Sequence, residues 1–264
     1  MDLLDTHEKE IMDQDRHLFV YCDDSDLRKK VIKKIDEEYK TTFADNKPIS
    51  LVLEDNSLPI IEGEISRLDS TRLIIIAREF LHFNISKNLL EKMSNNLKED
   101  QIKALIDDIT RSFFINKEKV HNINELYDLF NSSANFYTNY YTDFLQKNEK
   151  LGDINDLEIP FIDAISFIKC IKSSIGYDSY IGLIINNDKE MNNLSKQAIN
   201  ELITRRCNDD LSVKVFTPES EWKNYHSISG MLAESIHDYG TINLDKSYKK
   251  ELVKRKTVNG NYRV

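Results

Sequence analysis

Cys22 and Arg28 stand with five residues between them in the stretch LFVYCDDSDLRKKVI. A thiolate at such a spacing, after a strand and before a helix, can attack phosphorus while the guanidinium clamps the oxygens. The loop chemistry opposes this use. Asp23, Asp24 and Asp26 would raise the thiol pKa and repel a phosphate, and Lys29 stands where a Ser or Thr would follow the Arg. An ordinary cysteine at a strand end is the alternative reading. A second set lies at Tyr180–Asn187, YIGLIINN, the most concentrated apolar run in the chain. A magnesium-dependent nucleotidase needs two carboxylates at the end of such a strand. One holds the metal's water shell, and the other polarises the attacking water. Asn186 and Asn187 keep the shape and lose the charge, so they are poor magnesium ligands and no base at neutral pH.

Other candidates are weaker in pattern. Thr217 ends the run LSVKVFT, where a polar group can sense a phosphate. Arg205 and Arg206 close a helical stretch and can act in trans on a partner's nucleotide. Equally, they are cations at a helix end that the macrodipole favours. His237 and Asp238 could share a metal, but no third ligand is spaced with them, and a structural hydrogen bond is the competing reading. Lys246, Lys249, Lys250, Lys254, Arg255, Lys256 and Arg263 make the last stretch basic, for phosphates, an acidic partner or solvent.

These residues must be positioned by alternating strands and helices. His17–Cys22 reads as a strand, and Leu27–Lys40 as a helix capped by Asp23, Asp24 or Ser25. Ile49–Glu54 reads as a second strand and Asn56–Leu68 as a loop. From an Asp69/Ser70 cap the pattern turns helical, although its start, RLIIIA, also fits a strand. Further helices are expected over 99–115 and 122–149. There the aromatic cluster Phe136–Phe144 reads as helix packing, with a base-stacking surface as the alternative that the lack of interleaved basic residues disfavours. Gly152–Ile159 reads as a linker and Pro160–Ser174 as an amphipathic helix entering the central strand. Met191–Cys207 is helical, Leu211–Thr217 a strand stopped by Pro218, Ser229–Ile236 a short helix, and Gly240–Leu244 a last strand. The order predicts an α/β domain over 1–245 with a mainly parallel sheet, a helical insert at about 70–150, and a basic tail at 246–264.

Composition narrows the function classes. The chain has 264 residues, 40% hydrophobic and 31% charged, as an ordinary globular protein does. A net charge of −9 excludes general nucleic-acid binding by bulk electrostatics. Cys22, Cys170 and Cys207 are too far apart for a disulfide framework or a metal knuckle, which fits a reducing cytoplasm. No apolar run approaches the ~18 residues a membrane helix needs. Seven Gly and four Pro are few for a chain that cradles phosphate with its backbone.

The second half resembles a prokaryotic group of AAA+ P-loop ATPases related to the origin-recognition initiators. The likeness runs from about Phe161 to Asp245. It rests on YIGLIINN at the strand that should end in acidic residues, on KQAINELITRR at Lys196–Arg206, on LSVKVFT, and on HDYGTINLD at His237–Asp245. In the first half, Cys22 and Leu27 stand where the phosphate loop G-x-x-x-x-G-K-[ST] has its two Gly, Arg28 where it has Lys, and Lys29 where it has Ser or Thr. The resemblance therefore implies a P-loop NTPase-like fold whose nucleotide positions (Cys22, Leu27, Arg28, Lys29, Asn186, Asn187 and Thr217) are degenerate. No lid is expected after the His-Asp-Tyr segment, and neither a cofactor nor a metal. It implies an inactive interaction subunit of a DNA-processing or anti-phage assembly, in the cytoplasm. Its partner would be another protein, such as an active ATPase or effector, or a second copy of the chain. Two alternatives stay open. One is an active divergent nucleotidase using ATP and magnesium, or a phosphatase using Cys22 and Arg28. The other is a DNA-contacting adaptor using Lys249, Lys250, Lys254, Arg255 and Lys256.

Overall fold

The computed structural model describes residues 9–39, 47–53, 70–147, 157, 159, 161–187, 191, 193–235 and 237–246, with only the backbone of 70–74 and 140–147. Five strands form one sheet: β1 (His17–Tyr21), β2 (Ile49–Leu53), β3 (Ile181–Asn186), β4 (Leu211–Thr217) and β5 (Tyr239–Asn243). Their order is β2-β3-β4-β1-β5, and all neighbours pair in parallel. The helices are α1 (Ser25–Glu38), α2 (Ser70–Ser94), α3 (Glu99–Ser112), α4 (Ile123–Lys147), α5 (Ala164–Ile175) and α6 (Asn193–Thr204).

Alternation along the strands assigns each residue to a face. Phe19, Leu51, Leu183, Ile185, Val213 and Val215 face a thick layer built from α2 to α6. Leu18, Val20, Ile184 and Phe216 face α1, through its Val31, Ile32 and Ile35. Phe19 is an anchor of the first face. Its ring lies 4.8 Å from Tyr239, 5.2 Å from Trp222 and 5.4 Å from Tyr225, centroid to centroid.

The polar letters of the buried strand LSVKVFT are accounted for on the second face. Ser212 Oγ donates to the Arg16 carbonyl at 2.8 Å, and Lys214 Nζ reaches the carbonyls of Gln14 and Arg16. Residues 9–16 thus lie across that face as part of the core, and Ile11 and Met12 are fully buried. Gly182 fits here for a steric reason: a Cβ would stand 2.8 Å from Met12 Cε.

Two expectations change, and one open alternative is settled. The sheet is wholly parallel. RLIIIA belongs to the helix α2, because the apolar pattern continues for seven turns and reaches Met93, far beyond a strand's length. Ser229–Ser235, the described part of the expected Ser229–Ile236 helix, is not helical. Ser227 accepts the Met231 N–H on its Oγ, Gly230 takes φ +82°, and an antiparallel bridge pairs His226 with Leu232. That side chain closes a turn where a helix would need free backbone. The helices of 70–147 also share one apolar core with the sheet: Phe83, Leu89 and Phe130 lie in the same cluster as Ile49 and Leu51. The Asn56–Leu68 loop, the Asp69 cap, most of the Gly152–Ile159 linker and the tail beyond Lys246 lie outside the described residues. Among the described residues no helix is long and apolar enough to cross a membrane.

Candidate functional site

In an open parallel sheet the crevice for ligands opens where successive connections leave for opposite faces. Here that point lies between β1 and β4. The chain leaves β1 for α1 on one face and leaves β4 for the Trp222–Tyr225 segment on the other. Cys22–Asp24 and Thr217–Glu219 line this edge. β3 and β1 do not pair; β4 lies between them and joins both. Cys22 N–H donates to the Thr217 carbonyl at 3.1 Å, and Asn187 N–H to the Phe216 carbonyl at 2.8 Å. So the two stretches singled out for nucleotide chemistry meet at the same end of the sheet.

Only three residues, Cys22, Asp23 and Asp24, connect β1 to α1. Leu27, Arg28 and Lys29 already lie in the first turns of the helix. The helix N-terminus, which would otherwise face an anion, is taken by the chain itself. Asp24 Oδ1 accepts the N–H groups of Asp26 and Leu27, both at 3.0 Å. Asp245 Oδ2 accepts the Asp23 N–H at 2.8 Å. Asp23 Oδ1 in turn accepts the Glu219 N–H at 3.3 Å. Arg28 is buried and turns its guanidinium back onto the Cys22 carbonyl. Lys29 is exposed.

Cys22 is fully buried, and its Sγ donates to the Asp24 carbonyl at 3.3 Å and to Asp245 Oδ1 at 3.5 Å. Burial, then the neighbouring Asp245 carboxylate, pushes the thiol up to about 12. A thiol so held stays protonated at neutral pH and is no nucleophile.

Asn187 is buried and spends its amide on the protein. Its Nδ2 donates to Thr217 Oγ1 at 2.9 Å and to Glu221 Oε2 at 3.2 Å, and its Oδ1 accepts the Met191 N–H at 3.2 Å. A carboxylate here would lose both donors and face Glu221, so the position is built around an amide. Thr217 is buried in the same network and donates to the Pro218 carbonyl. Asn186 is half-buried at the end of β3.

The remaining candidates separate. Arg205 makes a two-pronged pair with Asp163, at 2.8 and 2.6 Å, and Asp163 also caps α5 through the Ile165 N–H. Arg206 pairs with the buried Asp238, whose other oxygen accepts the Glu234 N–H at 2.8 Å. Both arginines are thus engaged within the chain. His237 is exposed, and among the described residues no group of three His, Cys, Asp or Glu side chains could hold a metal. Lys249, Lys250, Lys254, Arg255 and Lys256 lie outside the described residues.

Sequence reasoning missed Asp245 and Glu221 as parts of this edge, and Asp163 as the partner of Arg205. Asp163 carried a usable signal, an Asp directly ahead of an apolar helical pattern. No protein-family model, curated protein or solved structure matches the chain.

Proposed function

We propose that the chain is a catalytically inactive AAA+-like protein that works as an interaction subunit, in a DNA-processing or anti-phage assembly of the kind its resemblance implies. One observation carries the reading. The backbone donors that would cradle a phosphate at the start of α1 are occupied by the chain's own carboxylates, Asp24 and Asp245. An incoming triphosphate would have to displace them and would meet Asp23, Asp26 and Glu219 as like charge.

The strand order supports the same reading. A γ-phosphate sensor must stand beside both the loop that holds the phosphates and the strand that holds the metal. β4, ending in Thr217, lies between β1 and β3 in this way. On this reading the framework of a nucleotide site is kept, with a short loop at Cys22–Asp24 and the amides Asn186 and Asn187 where an acidic pair would stand. The buried, protonated Cys22 weighs against phosphatase chemistry at the same place.

A domain that keeps its shape without turnover acts through surfaces, and its partner would be a protein such as an active ATPase or effector subunit. Calorimetry with ATP and magnesium tests the claim directly. The expected result is no saturable binding, and no ATP turnover above that of Lys29→Ala. Saturable ATP–magnesium binding, or turnover clearly above that variant, would sink it.

A further inference from the structure

The helical layer holds a cavity of about 280 Å³ that shares no residue with the crevice at the sheet edge. Arg78, Glu79 and His82 of α2 form one wall, and Glu201 and Arg205 at the end of α6 another. Its charges pair off unevenly. Arg78 Nη2 lies 2.9 Å from Glu79 Oε1, and Arg205 is held by Asp163. Glu79 also accepts the Ile162 N–H at 3.1 Å. Glu201 is the carboxylate left over. Its Oε2 is buried and has no hydrogen-bond partner among the described residues. Burial pushes its carboxyl up, while Arg78 and Arg205 pull it the other way without a hydrogen bond to Oε2 among the described residues.

His82 adds a second acceptor. Its Nδ1 lies 2.9 Å from the Ile162 carbonyl, which can only accept, so Nδ1 carries the proton. Burial holds the ring neutral, with its pKa lowered to about 4. Nε2 is then an acceptor, on a side chain 4% exposed, and it too has no partner among the described residues. Aromatic rings complete the lining. Phe113 and the half-exposed Phe161 belong to it, and Phe114, next in the chain, stands almost fully in solvent.

Two acceptors without donors, one carboxylate in excess and aromatic faces describe the complement of one group. We propose that this cavity binds a guanidinium, offered by a small guanidine compound or by an arginine side chain of a partner protein. A guanidinium is planar, carries five diverging donors, sheds water readily and stacks on aromatic faces. A primary ammonium is compact and strongly hydrated, and a neutral amide leaves the extra carboxylate uncompensated. The proposal stands apart from the state of the nucleotide crevice.

Calorimetry on the full chain tests it, with agmatine, an arginine-containing tripeptide amide and n-butylamine as probes. Saturable binding of agmatine or the peptide is expected in the millimolar range typical of small fragments, with n-butylamine about tenfold weaker or more. Glu201→Gln and Phe161→Ala should each weaken binding by about tenfold while leaving the melting temperature near its parent value. Tighter binding of the peptide than of agmatine assigns the site to a partner's arginine; the reverse assigns it to a small guanidine. No saturable binding of either guanidinium probe, equal binding of n-butylamine, or full affinity in either variant overturns the proposal.

Discussion

The crevice at the sheet edge and the cavity in the helical layer answer the same requirement in opposite ways. In the crevice, Asp24, Asp245 and Asn187 supply partners for groups that a ligand would otherwise satisfy. In the cavity, His82 and Glu201 keep acceptors that nothing among the described residues satisfies. Buried polar atoms without partners are costly, about 1–3 kcal/mol each, so a folded chain keeps them where something else supplies the bond. The comparison teaches that the backbone donors where topology shapes a ligand site are taken by the chain itself, with Asn186 Oδ1 the buried acceptor left over there, while the cavity gathers two such acceptors where topology makes no demand.

Reactivity of Cys22 is the most sensitive way to break this contrast. A thiol pushed from an ordinary 9.0 to about 12 has about a thousandfold less thiolate at neutral pH. Iodoacetamide should therefore label the half-buried Cys170 and Cys207 first, with Cys22 slower by about that factor. Rapid labelling of Cys22, read by peptide mass spectrometry on folded protein, would mean that the crevice is open.

Next in size is acid sensitivity at the cavity. Burial lowers His82 to about 4, against 6.5 for an ordinary histidine. Between those values the unfolded chain binds the extra proton, so stability rises with pH across the window. It is fully present above about 6.5 and lost as pH falls through 4, and His82 contributes about 3 kcal/mol of that loss. His17, buried and lowered to about 3, adds a second part at the acid end. His82→Asn can keep the donor to the Ile162 carbonyl while removing the titration. Denaturant unfolding at pH 7 and pH 4.5 should show a shallower acid loss in the variant, and an unchanged loss would mean that His82 is not held neutral in the fold.

The smallest effect sharpens the crevice side. Asn187→Asp restores the acid expected of a magnesium strand but deletes two donors and faces Glu221. It should cost about 1–2 kcal/mol in unfolding free energy. Magnesium should not recover the loss; recovery by millimolar magnesium would show a metal site waiting for its ligand.

Strands were the most legible part of the chain. LSVKVFT was readable to the residue as Leu211–Thr217, because β-branched and aromatic letters meet a Pro stop there. HLFVYC was readable to within one residue. RLIIIA was not, since a short apolar run fits either period until its continuation is counted. The acidic character of the β1–α1 connection was legible in Asp23, Asp24 and Asp26. What closes the crevice was not, because Asp245 reaches Asp23 across 222 positions and no local pattern encodes that contact. His82 and Glu201 were illegible for the same reason. On their own helices they read as ordinary polar letters, and the unpartnered state of His82 Nε2 and Glu201 Oε2 among the described residues arises only in the packed layer.

The pairing of β1 sets the order in which this protein can assemble during synthesis. HLFVY is made before its neighbours, since among the described residues it pairs with β4 and β5, at Leu211–Thr217 and Tyr239–Asn243. Until those segments leave the ribosome, a β-prone stretch with no charge has neither neighbour, which makes the nascent chain vulnerable to aggregation. Translation that stalls between α2 and α6 would leave the helical layer formed on an unfinished sheet, with chaperones as its only cover.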